Sequence, residues 1–180
     1  MNLHHTLVAL GALTLSACGN ADSGKPNSDN QSSAVTFDRE TVVTGLEHPW
    51  SMAFLPNGEI LITERPGRLR RVINGQLHAS AVTGVPNVAV HGQGGMLDIA
   101  LHPAFSDNSK VYLSYALPCA NGGNTTAVGR GEYRDGALQN FKPVIVTDAC
   151  SDKGQHYAGR MVFDQQGYLY LSIGDRGERD

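Results

Sequence analysis

The cysteines of this 180-residue chain lie in sequence contexts that indicate covalent modification. Cys18 follows Leu15-Ser16-Ala17, at the end of an apolar run that begins at Leu7. This run is shorter than the roughly 20 residues that a membrane-spanning helix needs, and its length is typical of a signal peptide. The box before Cys18 resembles the bacterial lipobox, in which a peptidase cuts before the cysteine and the thiol carries lipid. We therefore expect residues 1–17 to be a lipoprotein signal peptide and Cys18 to be lipidated. A plain secretory signal with an incidental cysteine is the alternative.

Export would place the other two cysteines, Cys119 and Cys150, in an oxidising compartment, where thiols can pair. A disulfide closing a loop of about 32 residues stabilises by roughly 3–4 kcal/mol in the chain-entropy model. Each cysteine lies in a polar, loop-like stretch. We expect a Cys119–Cys150 disulfide, and two buried free thiols are the alternative.

The segment after Cys18 indicates where the body of the protein is located. Residues 18–35 are polar and turn-rich, which predicts a flexible tether. Gly19 follows Cys18, which in Gram-negative cells resembles a lipoprotein passed on to the outer membrane. We expect a periplasmic body anchored to that membrane through lipid.

With 41% hydrophobic residues, a net charge of -3 and no basic stripe, the sequence fits a globular domain and gives no indication of a nucleic-acid partner.

From residue 36 the chain reads as short strands separated by tight turns. The apolar stretch 50–55 breaks at Pro56-Asn57-Gly58, and a later strand ends at Asn74-Gly75, a strong hairpin signal. The connections are too short for crossovers, so the strands must pair antiparallel. The basic run Arg65, Arg68, Arg70 and Arg71 is expected to form one solvated strand face.

The same strand–turn–strand pattern occurs three times, with Phe54, Leu101 and Phe163 in equivalent places. A meander that recurs at about 40–50 residues is typical of β-propeller blades. We predict an all-β fold, a β-propeller of about three blades over residues 36–180, with almost no helix. Because propellers close with about four to eight blades, we expect an incomplete chain, the N-terminal part of a longer propeller.

Three segments in order carry a family resemblance. They are Gly45–Phe54, His91–Pro103, and His156–Phe163 together with Ile173–Gly177. In this order they resemble the soluble quinoprotein sugar dehydrogenases, the glucose/sorbosone dehydrogenase family and its aldose sugar dehydrogenase branch. The resemblance covers Phe37 to Asp180. It implies a six-bladed propeller that binds pyrroloquinoline quinone (PQQ) with a calcium ion and oxidises the C1 hydroxyl of aldose sugars to lactones.

The resemblance implies roles for three residues. His156 matches the catalytic general base, Asp175 matches the aspartate that assists it, and Gln93 matches a glutamine that binds cofactor or substrate. A base for alcohol oxidation needs a pKa near the working pH, which favours histidine. Simpler interpretations are a surface-loop histidine, an Asx-turn aspartate and a tight-turn glutamine.

The sequence departs from the family pattern at Gln155, where glucose-specific members carry an acidic residue, and sugar specificity is therefore left open. The segments that contact calcium and clamp the cofactor lie downstream in the family, so we expect no metal ligand in these residues and no activity from them alone. The electron acceptor is not indicated. Two other functions compete with the enzyme: a non-enzymatic, envelope-binding propeller lipoprotein, and a calcium-dependent lactonase.

Overall fold

The computed structural model describes residues 37–178, and the expected signal peptide, Cys18 and the tether lie outside these residues. The chain divides into two units, Met1–Asp38 and Arg39–Asp180, and the fold concerns the second. Within its described residues there are ten strands in three antiparallel sheets and one short helix. No helix of the described part is long and apolar enough to cross a membrane.

The first sheet is a four-stranded meander. Its strands, in order, are β1 (Pro49–Phe54), β2 (Ile60–Glu64), β3 (Arg68–Ile73) and β4 (Gln76–Leu77). Asn74 and Gly75 join β3 to β4 with φ angles of 51° and 75°. Both angles are positive, as a type I′ hairpin turn requires and as the Asn-Gly pair predicts.

The second sheet repeats this order. Its strands are β5 (Met96–Leu101), β6 (Lys110–Pro118), β7 (Asn124–Arg134) and β8 (Ala137–Val146). Between β5 and β6 the sequence predicts a turn at residues 106–108. The structure instead has a one-turn helix, α1 (Phe105–Asn108), which ends at Ser109 in the left-handed conformation.

The third sheet consists of β9 (Ala158–Phe163) and β10 (Leu169–Ile173). Phe54, Leu101 and Phe163 each end the first strand of a sheet, so the threefold repeat read from the sequence is confirmed. The described residues thus form two four-stranded blades and two strands of a third, with almost no helix.

The main core lies where the first two blades pack together. β2 is buried on both faces, and so is most of β5. These strands therefore carry nearly continuous apolar runs instead of alternating apolar and polar residues. Completely buried side chains in this core are Leu61, Leu69, Met96, Val111 and Leu113.

The expectation of a solvated arginine face on β3 is wrong. Successive side chains of a strand point to opposite faces. Arg71 accordingly pairs with Glu59 at 2.6 Å, while Arg68 pairs with Glu64 at 2.6 Å. Burial raises the pKa of each glutamate, but the hydrogen bonds and positive charges around each carboxylate, led by its arginine partner, together hold both pKa values below the ordinary value. The arginines therefore neutralise buried acids, and the side chain of Arg70 is only 12% exposed.

Candidate active site

Loops at one end of the blades carry the three residues singled out by the sequence. In each sheet the first strand starts at this end and the second strand returns to it, because consecutive strands are antiparallel. Gln93 precedes β5, His156 precedes β9 and Asp175 follows β10. We call this end, formed by residues 91–95, 150–157 and 174–178, the loop face.

Gln93 joins the segment before β5 to the segment before β9. Its backbone N–H donates to the carbonyl oxygen of Gly154 at 2.7 Å. Its side-chain Oε1 accepts the backbone N–H of His156 at 2.8 Å. The amide nitrogen of Gln93 has no hydrogen-bond partner among residues 37–178, so two N–H donors beside His156 are available to a ligand.

His156 and Asp175 form a direct hydrogen bond. The distance from His156 Nδ1 to Asp175 Oδ1 is 2.6 Å. A carboxylate oxygen can only accept, so Nδ1 carries the hydrogen, and in the neutral imidazole the lone pair is then on Nε2. Asp175 Oδ1 also accepts the backbone N–H of Gly177 at 2.8 Å, so the turn and the histidine contact coexist. The two side chains are 43% and 45% exposed, and solvent or substrate can therefore reach them.

The backbone around His156 is unusual. Its φ angle is 53°, in the left-handed region that residues with a side chain seldom adopt. Gly174 lies against it: a Cβ added at Gly174 would lie 2.0 Å from the carbonyl oxygen of His156. Only glycine allows this approach, which brings the loop after β10 close enough for Asp175 to reach the imidazole.

A polar cluster holds the outer part of the loop face. Lys153 Nζ donates to Glu178 Oε2 and to the carbonyl oxygen of Gly177, each at 2.7 Å. The hydroxyl of Ser151 donates to Glu178 Oε1 at 2.9 Å. The Lys153 hydrogen bond holds the pKa of Glu178 below its ordinary value. The cluster ties the segment before β9 to the segment after β10.

A disulfide joins Cys119 and Cys150, with their Cα atoms 6.3 Å apart. This separation lies within the range that an unstrained bridge allows. Cys119 follows β6 and Cys150 precedes β9, so the bridge also lies at the end of the blades that forms the loop face. It fixes the start of the segment that leads to His156.

A buried carboxylate that was not predicted from the sequence lies just inside the loop face. Asp98 of β5 accepts hydrogen bonds from the Ser51 hydroxyl at 2.5 Å, from Arg160 Nη1 at 2.8 Å and from the backbone N–H of Met161 at 2.7 Å. These donors belong to β1 and β9, so one side chain connects the first strands of all three blades. An acidic residue flanked by apolar residues within a predicted strand is the signal that could have revealed it.

A cavity of about 550 Å³ lies at the opposite end of the first two blades and contains none of the site residues. Glu59, Arg71 and Tyr133 line it, and the Glu59 carboxylate accepts hydrogen bonds from Arg71 Nε and from the Tyr133 hydroxyl. Burial and the bond to Glu59 raise the pKa of Tyr133. Because the charges of Glu59 and Arg71 already neutralise each other, we interpret these three residues as a structural cluster.

The fold and the loop face together define a β-propeller protein with a histidine–aspartate pair at one end of its blades. The family described as glucose/sorbosone dehydrogenase matches residues 46–180, and the chain belongs to this family.

One related sequence and two solved structures illustrate the match. The aldose sugar dehydrogenase of Escherichia coli is 38% identical over 148 residues, which are 81% of this chain and 40% of the relative. The crystal structure of the soluble aldose sugar dehydrogenase from Escherichia coli in the apo-form has a TM-score of 0.71 at 40% identity, and the match covers 74% of this chain and 40% of that one. The PQQ-bound form of aldose sugar dehydrogenase from Streptomyces coelicolor has a TM-score of 0.63 at 28% identity, covering 77% and 41%. The chain spans about two fifths of the length of these relatives.

Proposed function

We propose that the whole protein oxidises the C1 hydroxyl of aldose sugars to lactones with PQQ, and that His156 is the general base. The observation that carries this proposal is the 2.6 Å hydrogen bond between His156 Nδ1 and Asp175 Oδ1 on an accessible loop face. Family membership and the aldose sugar dehydrogenases among the similar proteins support the substrate class.

In the proposed reaction His156 Nε2 accepts the proton of the C1 hydroxyl. The imidazolium that forms stays hydrogen-bonded to Asp175, whose negative charge stabilises it and fixes the tautomer that leaves Nε2 available. PQQ, when bound, supplies the electrophilic carbon that takes the hydride from C1. The side chain of His156 is still half-exposed in the described part of the chain, so the base is open to the sugar.

The donors on the loop face fit the polar edge of PQQ. A quinone offers carbonyl oxygens, and the amide of Gln93 offers two N–H donors beside the base. We assign Gln93 to that edge. Among residues 37–178 no group of three or more histidine, cysteine, aspartate or glutamate side chains could hold a metal ion.

The test is PQQ-reconstituted turnover of the whole protein on a panel of aldoses. His156→Ala is expected to lower kcat about 10²–10⁴-fold, the contribution of a positioned base, with little change in PQQ affinity. Asp175→Asn should give a smaller loss, because the imidazole remains but loses the carboxylate. His102→Ala, at the opposite end of the blades, is the matched control. Wild-type turnover in His156→Ala would refute the proposal.

We also propose that the mature protein is a periplasmic lipoprotein anchored to the outer membrane through Cys18. The support is the sequence Leu15-Ser16-Ala17-Cys18 after an apolar run. Mass spectrometry of the native N-terminal peptide should find diacylglycerol and acyl groups on Cys18, and Cys18→Ser should release the protein from the membrane fraction. An unmodified Cys18 in a soluble product would contradict this.

A further inference from the structure

Arg176 is a buried cation without a carboxylate partner in the described part of the chain. It is 1% exposed, and none of the ion pairs among residues 37–178 includes it. Its Nη2 has no hydrogen-bond partner there. Burying a charge without an opposite charge is strongly unfavourable, so the contacts that Arg176 does make must compensate for lost hydration.

Those contacts are a ring and two carbonyl groups. The guanidinium carbon lies 3.6 Å from the centroid of the buried Tyr157 ring, which is a close cation–π contact. Nε donates to the carbonyl oxygen of Gln155 at 3.1 Å, and Nη1 donates to that of Asn124 at 3.0 Å. A planar guanidinium can stack and donate at the same time, whereas an ammonium cannot.

The placement of these contacts along the chain is informative. Gln155 and Tyr157 are the two chain neighbours of His156, and Arg176 directly follows Asp175. One side chain therefore contacts both chain neighbours of the histidine, the carbonyl oxygen of Gln155 and the ring of Tyr157, from the position next to its carboxylate partner. His156 and Arg176 both have left-handed φ angles, 53° and 57°, so both sides of this contact adopt a backbone that needs support from the surrounding structure.

We propose that the stacked pair Arg176–Tyr157 is the positioning element of the His156–Asp175 dyad. By fixing the carbonyl group of Gln155 and the ring of Tyr157 on the two sides of His156, it keeps Nδ1–H directed at Asp175 and leaves Nε2 as the base. Its effect on turnover rests on the proposed function, whereas its effect on the imidazole does not. Arg176 and Tyr157 act through His156 and are positioning residues.

Two matched sets of variants test this. Tyr157→Phe keeps the ring and removes only a hydroxyl that has no hydrogen-bond partner among residues 37–178, whereas Tyr157→Leu removes the ring. Arg176→Lys keeps the charge and loses the planar stack, and Arg176→Met loses both. The first readout is the pair of imidazole ¹⁵N chemical shifts of His156 in the whole protein without cofactor, at a pH where the ring is neutral. The second is kcat and KM of the PQQ-loaded protein.

Wild type and Tyr157→Phe are expected to show a single Nδ1–H tautomer and equal kcat. Tyr157→Leu and both Arg176 variants should show a mixture of imidazole tautomers. Their kcat should fall about 10–100-fold and their KM should change less, because loss of a supporting contact lets the reacting imidazole move out of position. Arg176→Lys serves as the folded test if Arg176→Met fails to fold.

A single Nδ1–H tautomer with wild-type kcat in folded Tyr157→Leu or Arg176→Lys would overturn the proposal and leave the pair a structural one. If His156→Ala keeps full activity, the proposed function fails, but the ¹⁵N shifts still decide whether the pair positions the imidazole.

Discussion

Replacing Asp98 by alanine is expected to lower the free energy of unfolding by about 3–5 kcal/mol. The side chain of Asp98 is only 2% exposed. Bulk water therefore cannot replace the carboxylate as the acceptor of its hydrogen bonds. The variant leaves the Ser51 hydroxyl and the backbone N–H of Met161 without their acceptor, at a cost of about 1–3 kcal/mol each. Arg160 adds little, because its side chain is 62% exposed and water hydrates it when the ion pair is lost.

Arg160→Met separates the hydrogen bonds from the ion pair. It removes the charge but leaves an apolar side chain near Trp50, whose ring centre lies 4.6 Å from the guanidinium carbon. Asp98 keeps its other donors, so the expected cost is about 1 kcal/mol. Urea unfolding followed by circular dichroism measures both variants. Equal losses for Asp98→Ala and Arg160→Met would refute the reasoning, because charge neutralisation and not hydrogen bonding would then hold the blades together.

Three further outcomes follow from the described contacts. The double variant Cys119→Ser with Cys150→Ser should lower the free energy of unfolding by about 3–4 kcal/mol, and equal urea midpoints with and without the bridge would contradict this. The pKa of Glu59 lies below its ordinary 4.5 in the folded protein, so the unfolded chain binds the proton first as the pH falls. The ionised Glu59 carboxylate therefore stabilises the fold above about pH 4.5, and this stabilisation is lost as the pH falls further. Glu59→Gln should make the free energy of unfolding fall less steeply with decreasing pH in the acid range, and an unchanged slope would contradict this role of Glu59. Gly174→Ala places a Cβ 2.0 Å from a carbonyl oxygen and should lower kcat by about 10²-fold, whereas Gly167→Ala, with nothing within 4 Å, should leave kcat unchanged; equal kcat values would argue against the close approach.

The blades could be predicted from the sequence because their determinants are local. Short turns force antiparallel pairing, and Asn74-Gly75 selects a hairpin type without reference to the rest of the chain. The cysteine pairing was predicted from the oxidising compartment that the proposed signal peptide would imply, and this is also inferred from the sequence. The same locality explains the recurrence of one strand–turn–strand pattern in each sheet.

Buried charges could not be predicted in this way, because a charged residue in a polar stretch looks the same whether solvent or a distant segment covers it. Arg176 is buried by residues that precede β9 and by Asn124, and nothing in its own loop indicates this. One signal was available for β3: the short loop after β2 sets Glu64 opposite Arg68 in the hairpin register, which predicts their ion pair.

The position of the candidate base depends on how neighbouring blades are aligned, and hydrogen bonds within a sheet do not set that alignment. Asp98 belongs to β5, and its Oδ2 accepts a backbone N–H of β9, so this carboxylate fixes the height of β9 against β5. Gln93 lies just before β5 and His156 just before β9, and the bond between them requires the two strand starts to be level. The buried carboxylate therefore sets the spacing at which Gln93 can hold the backbone of His156, and the contacts of Gly174 then bring Asp175 to the imidazole. The hydrogen bonds of Asp98 between the blades thus help to position the loop face.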